Sequence, residues 1–466
     1  MSVFKKGGLS FVIHIVGAMI GLVTQLLAAS ILGTEGYGKV NYVLGFVGSI
    51  SIFFFFGYHY YFSKFAYNDE GLKEIISKAI FTSSIIYILS LPVVFVFLKE
   101  KLPLSELILV LFLVFFTFLL EIVKSFEIAK GNTVKASRVK NFDTKVITLV
   151  FSFVFYCVGY ISYYTFLIAI LVGFIFASMP GVISNFRFVA PSVNIVKSAS
   201  TFYLVQVTYF FYSYFSKVIQ MEIGSASLLG ILSISLVIGQ AISMIGTNFA
   251  NVVLPVFSKA FKDGDLELAG EKFREVARLN AYLSLPLLVI IIVKYDIILS
   301  FIGEDYLLKE SGIIVLFVLL GQFVNSFVGP NGSVLLMSGN EKTEIINGLI
   351  KLCVGISSAY FLGADFGWGI AFSLFFSELI VNLVKLVQVY HLFKLLPYSF
   401  KELRYLILMS LFQFSIVIIL NDFISNIYAL ILFSFVFCLA NWLLTFKLSP
   451  NNNDWISVSR VLNKCN

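Results

Sequence analysis

Residues 187–200 read RFVAPSVNIVKSAS, from Arg187 to Ser200. The stretch carries Arg187, Lys197 and Pro191 and no long apolar run, which sets it apart from most of the chain. Six long apolar runs precede it and six to eight follow. A run of about 20 residues is what a helix needs to cross a hydrocarbon core. The stretch therefore reads as the link between two membrane-embedded halves.

Composition supports this. Of 466 residues, 59% are hydrophobic and only 13% charged, and mean hydropathy is +0.95. Soluble domains carry about 25% charged residues, so a water-soluble core cannot hide this much apolar surface. A polytopic membrane protein remains. Spanning segments must satisfy their backbone internally, as helices or as a closed barrel. The runs are continuous rather than short and alternating, which selects helices. Cys157, Cys353, Cys438 and Cys465 form no CxxC pair and read as small packing residues. The run 9–31 is longer than a signal-peptide core of about 7–15 residues and reads as a retained first span.

The expected architecture is all-α, with fourteen spans near 9–31, 40–62, 79–98, 106–128, 146–161, 163–184, 201–221, 226–256, 280–301, 312–337, 345–362, 366–390, 404–421 and 425–446. Twelve spans plus a tail is the alternative. Three parts are expected: a six-helix lobe over 1–190, a second over 191–400, and a helix pair with a tail over 401–466. With the N-terminus inside, the outer connections hold only Lys39, Lys99, Lys101 and Lys309, against two dozen basic residues in the inner ones. The positive-inside rule then puts both termini in the cytoplasm. It also accounts for the net charge of +7 without a nucleic-acid partner. The charged inner loop 258–279 has apolar residues at near-helical spacing and reads as a short amphipathic helix on the inner face.

The halves share punctuation. Gly33-Thr34-Glu35 follows the first span and Gly224-Ser225 the seventh. Phe62-Ser63-Lys64 leaves the second span before Asp69-Glu70-Gly71, and Phe257-Ser258-Lys259 leaves the eighth before Asp263-Gly264-Asp265. Six spans per half is even, so the repeats would be related by an axis along the membrane normal, an arrangement found in secondary transporters whose substrates bind at the repeat interface.

Residues 26–38, LLAASILGTEGYG, resemble the first-loop signature of Wzx-type polysaccharide flippases, in the multidrug/oligosaccharidyl-lipid/polysaccharide exporter superfamily. Leu254-Pro255-Val256-Phe257-Ser258-Lys259 resembles that family's exit from the eighth helix, and Gly329-Pro330-Asn331-Gly332 through Met337-Ser338-Gly339-Asn340-Glu341-Lys342 its tenth-helix end and following loop. The family often has Arg where this chain has Ser30. The resemblance implies a bacterial inner-membrane protein that flips undecaprenyl-diphosphate-linked oligosaccharide repeat units outward for O-antigen or capsule assembly. It implies alternating access around a polar cavity between the halves. The partners it implies are the lipid-linked glycan, the bilayer, a coupling proton or sodium ion, and polysaccharide polymerase machinery.

Ionisable groups within spans are functional candidates. Lys351 and Glu378 lie deep and can serve substrate or pair with each other across adjacent helices. Lys217 lies toward an outer end near Glu222, where it can pair or snorkel, while Lys124 and Lys385 can snorkel to the inner surface. Glu121, Lys124 and Glu127 share a helical face. Uncharged candidates are His14 and Gln25 on the first span, His59 on the second, Gln206 on the seventh, and Gln240, Asn248 and Asn251 on the eighth. By the resemblance those helices line the cavity; the bland alternative is hydrogen bonding between helices. No GxxxxGK[ST] loop, catalytic triad or metal-ligand spacing occurs, and Gly339-Asn340-Glu341-Lys342-Thr343 lacks the glycine before lysine. A non-enzymatic carrier without cofactor is expected. A multidrug or cation antiporter of the same superfamily, which would favour acidic cavity residues, and a membrane polysaccharide polymerase are the competing readings.

Overall fold

A computed structural model describes residues 3–55, 57–58, 62, 69–130, 132–187, 193–363 and 365–450. The described residues are all-helical apart from short connections. By contacts the chain divides into two units, Met1–Ile234 and Ser235–Asn466.

The first unit opens with α1 (Val3–Phe55). It contains parts of two expected spans, joined at Gly33, whose φ of 68° is left-handed and breaks the helix there. There follow α2 (Asp69–Leu98), α3 (Leu104–Ala129), α4 (Thr133–Ser137), a π-helical turn (Arg138–Asp143), α5 (Thr144–Cys157), α6 (Tyr163–Asn185) and α7 (Val193–Ile223). The first turns of α8 (Ala226–Asp263) complete it. Helix α3 is central. Val110, Leu113, Val114, Phe118, Ile122, Val123 and Phe126 are all fully buried, as expected of a helix apolar on several faces. Ser162 starts α6 with a reciprocal capping box to Thr165. The expected link 187–200 is largely helical in the structure: α6 ends at Asn185, residues 188–192 lie outside the described set, and residues from Val193 are already helical.

The second unit holds the rest of α8, then α9 (Leu266–Val293), α10 (Tyr295–Ile302), α11 (Ser311–Phe327), α12 (Asn331–Met337), α13 (Glu341–Gly363), α14 (Gly369–Phe393), α15 (Phe400–Ile419) and α16 (Ile427–Leu448). Gly329, at φ 78°, and Pro330 bend α11 against α12 by 44°. The amphipathic loop helix takes another form than expected. Residues 258–263 extend α8, and the apolar positions Ala269, Phe273, Val276 and Ala277 are buried first turns of α9. Their burial against α12 and α14 makes them core, not a surface helix. Cys438 packs beside Phe437 and Val417 as expected, whereas Cys157 and Cys353 are exposed.

Among the described residues, ten helices are long and apolar enough to cross a membrane, or eleven with the bent α11–α12 pair. Among the described residues, each of the fourteen expected segments has most of its length on helices. The difference has local causes. Two segments share α1, segment 146–161 falls on the 14-residue α5, and α7 is diluted by Gln206, Thr208, Lys217 and Gln220.

The last two helices are fastened to α9 by polar groups. Arg278 donates to Glu402 at 3.0 Å, with both side chains buried. Glu402 also closes the capping box of Ser399, so one carboxylate starts α15 and holds it to α9. Tyr398 donates to the carbonyls of Ala277 and Phe327, and Trp442 to that of Leu283. Removing one partner of a buried pair costs about 3 kcal/mol, because the other charge stays buried. Glu402→Ala is thus expected to lower the melting temperature of the detergent-solubilised protein more than the double replacement Arg278→Met/Glu402→Leu, compared by thermal unfolding.

Candidate functional site

The polar interior of the first unit is built on α3. Glu121 and Lys124 approach at 3.4 Å, as their spacing suggests. The other Glu121 oxygen accepts from Lys140 of the π turn, so one carboxylate serves two ammonium groups. Glu127 turns to Lys135 at 2.7 Å. Lys140 and Lys145 were placed in a loop by hydropathy; in the structure they lie in the helical run α4–π–α5. Glycines on α1 admit that run: a Cβ at Gly17 would sit 2.1 Å from the Asn141 carbonyl oxygen, and one at Gly21 3.3 Å from the Lys145 chain. A π turn hydrogen-bonds i to i+5, which brings residues five apart towards one face. Lys140 and Lys145 are so spaced.

Lys145 lines a cavity of about 80 Å³ with Thr24, Gln25, Leu44, Thr144, Thr148, Ile170 and Phe174. Gln25, an expected lining residue, is oriented by Tyr37, whose hydroxyl donates to its Oε1 at 2.9 Å. Among the described residues Lys145 pairs with no carboxylate. Lys217 does not pair with Glu222. Its ammonium donates to Asn41 Oδ1 at 2.8 Å, because α7 packs tightly on α1 at Gly45 and Gly48. Glu222, at the end of α7, accepts from Tyr42 at 2.6 Å and Lys101 at 2.9 Å, and these bonds hold its carboxyl below the usual range. Gln206 Oε1 is buried with no hydrogen bond among the described residues. His14 lies on α1 with its side chain outside the described set, and His59 is wholly outside it.

The second unit pairs its charges. On α13, Glu344, Asn347 and Lys351 follow at three and four residues; on α14, Glu378, Asn382, Lys385 and Gln388 do likewise. The helices run antiparallel, and the faces close as a ladder. Lys351 binds Glu378, Asn347 and Gln388 exchange amide bonds at 2.7 and 2.8 Å, and Lys385 meets Glu344 at 3.5 Å. Asn382 donates to the Glu378 carbonyl at 2.9 Å. Lys385 is therefore buried and paired, not snorkelled as expected. Gln240 is exposed on α8, and Asn248 and Asn251 lie on the same helix with their side chains outside the described set.

The family described as polysaccharide biosynthesis protein matches residues 3–261. Among solved structures the chain is similar to a lipid II flippase MurJ in an inward closed conformation, with 18% identity over 94% of this chain and 97% of that one and a TM-score of 0.73. It is similar to an inward-facing multidrug resistance MATE family transporter of the MOP superfamily, at 12% identity over 83% and 98% with a TM-score of 0.62. It is also similar to a MOP superfamily transporter from Pyrococcus furiosus described by the reverse polarity of its binding pocket, at 11% identity over 85% and 96% with a TM-score of 0.55. Identities this low show the shared fold alone. No curated protein matches the chain.

Because Lys351 and Glu378 neutralise each other, Lys351→Ala is expected to act first on stability. Leaving Glu378 half-buried and unpaired costs about 3 kcal/mol. Lys351→Ala should lower the melting temperature, and Lys351→Met/Glu378→Leu should restore much of it. A single mutant that melts like wild type would rule out this use of the pair.

Proposed function

The chain belongs to the polysaccharide biosynthesis protein family, MOP superfamily transporters and not enzymes, and from that premise we propose that it flips a lipid-diphosphate-linked oligosaccharide across the bacterial inner membrane by alternating access. The lipid is read as undecaprenyl and the product as a repeat unit for O-antigen or capsule. The observation that carries this is the charge inside the first unit. Lys124, Lys140, Lys145 and Lys217 stand there, with Glu121 pairing with Lys124 and Lys140, while the buried Glu127 and Glu106 are engaged by Lys135 and Tyr163. A surplus of fixed ammonium groups in a medium of low dielectric attracts an oxyanion and repels a cationic drug. That favours a diphosphate cargo over the multidrug or cation-antiporter reading. Gln25, Lys217 and Gln206 remain cavity candidates, with His14, His59, Gln240, Asn248 and Asn251. The Lys351–Glu378 pair belongs to a neutral ladder and is a weaker one.

The fourteen helical segments are proposed as fourteen spans with both termini cytoplasmic, the lobes covering 1–190 and 191–400 and the last pair 401–466. Reporter fusions at Lys6 and after Leu448 should both report the cytoplasm. A proton or sodium ion is the proposed coupling partner, and the polymerase machinery the consumer of the product.

A lipid diphosphate diester carries about two negative charges, and each is worth ~2.3 kcal/mol per 100 mV, so about 4.6 kcal/mol favours outward movement from a negative interior. In reconstituted vesicles with a potassium gradient and valinomycin, flipping of the lipid-linked glycan is expected to accelerate when the potential drives anions towards the acceptor leaflet. A rate that ignores both sign and size of the potential would refute electrophoretic drive.

A further inference from the structure

The cavity beside Lys145 is polarised by where its neighbours send their protons. Tyr37 donates to Gln25 Oε1, which leaves the Gln25 NH2 group for other acceptors; among the described residues it donates to none. Thr24 gives its hydroxyl proton to the Ile20 carbonyl at 2.7 Å, and Thr144 gives its own to the Lys140 carbonyl. Leu44, Ile170 and Phe174 are apolar. The polar groups left for a guest are the Lys145 ammonium, the Gln25 amide and the Thr148 hydroxyl. At about 80 Å³ the cavity has room for several waters, and so for one tetrahedral oxyanion. Beyond the π turn, the Glu121 carboxylate holds Lys124 with one oxygen and Lys140 with the other.

We propose that these groups form a two-part oxyanion site in which Glu121 is a displaceable internal counter-anion. Lys145 and Gln25 take the first phosphate group of a lipid diphosphate, and the second phosphate group competes with Glu121 for Lys124 and Lys140. The proposal rests on the flippase reading for the identity of the cargo. A resident carboxylate keeps the two lysines satisfied in the empty protein, which a half-buried pair of cations requires. It also keeps the cargo from being held too tightly to leave, because Glu121 returns as the phosphate departs. A diphosphate has a group for each part and a single phosphate for only one, so the two-part site is expected to favour diphosphates.

The test titrates inorganic pyrophosphate and, separately, orthophosphate into the purified full chain in detergent, with calorimetry and thermal shift as readouts. Lys145→Gln should weaken both ligands by about tenfold or more, as expected for a lost charge-assisted hydrogen bond. Glu121→Gln should melt lower than wild type without ligand, yet bind pyrophosphate several-fold tighter with a larger thermal shift, while orthophosphate, which meets one part at a time, gains less. A purely structural Glu121 would lower the melting temperature and leave the pyrophosphate affinity where it was; that result, or a Lys145→Gln variant that binds as wild type does, overturns the proposal. So does phosphatidylglycerol in nanodiscs displacing pyrophosphate as well as undecaprenyl diphosphate does, since the site would then be one for ordinary anionic lipid. Vesicle flipping by the wild type keeps the two readings apart. The variant pattern without flipping leaves the site standing and removes the cargo; flipping without the pattern does the reverse.

Discussion

An ammonium group held within a helical bundle in lipid has to meet oxygen, or its desolvation goes uncompensated. Both units obey this constraint in different ways. In the second unit each of the two ladder cations on α13 and α14 has a carboxylate of its own, Lys351 with Glu378 and Lys385 with Glu344, and the Asn347 and Gln388 amides bond to each other beside them. Lys294 meets two backbone carbonyls, of Asn421 and Ile424, and Arg278 meets Glu402. The first unit instead shares one carboxylate between Lys124 and Lys140 and gives Lys217 only an amide oxygen.

Close helix approach makes the second arrangement possible. Gly17 and Gly21 lie four residues apart on α1, on one face, and remove the side chains that would hold off the π turn. The π turn widens the helix by one residue and carries Lys140 and Lys145 inward together. Any side chain at Gly17 would strike the backbone at Asn141, so the placement of both lysines depends on that glycine. Ser30, where the resembled family often has Arg, is exposed, and the cations gathered in this unit are supplied by α3, the π turn, α5 and α7.

Hydropathy alone located the long apolar helices, because runs of about 20 apolar residues leave little choice of structure. The pairing of Lys351 with Glu378 was also legible, as two deep and opposite charges on consecutive spans. Lys140 and Lys145 were not. The stretch RVKNFDTK is as polar as any loop, and a π turn has no composition of its own. Lys217 and Lys385 were misassigned for a related reason. Sequence distance favoured Glu222 for one and the surface for the other, whereas the partners Asn41 and Glu344 come from distant helices that only packing brings near. The amphipathic 258–279 stretch gave a helical period correctly but not its environment, since the same pattern serves a membrane surface and a buried helix start.

Charge balance gives the two interiors different physical characters. A ladder of matched pairs is neutral, and breaking any rung leaves a stranded charge, so it holds α13 to α14 with high specificity and little appetite for a guest. In the first unit Lys124 and Lys140 share Glu121, which leaves that pair an excess of positive charge. On the proposed reading an anion from outside would lower it, and would gain most where water is least able to screen the field. Ligand affinity and the uncompensated cost of the empty site are then the same free energy seen from two sides. Lys124 and Lys140 sharing Glu121, with Lys145 in the neighbouring cavity, make a poor scaffold, and for that reason the proposed flippase reading gives them the work of holding and releasing a charged cargo.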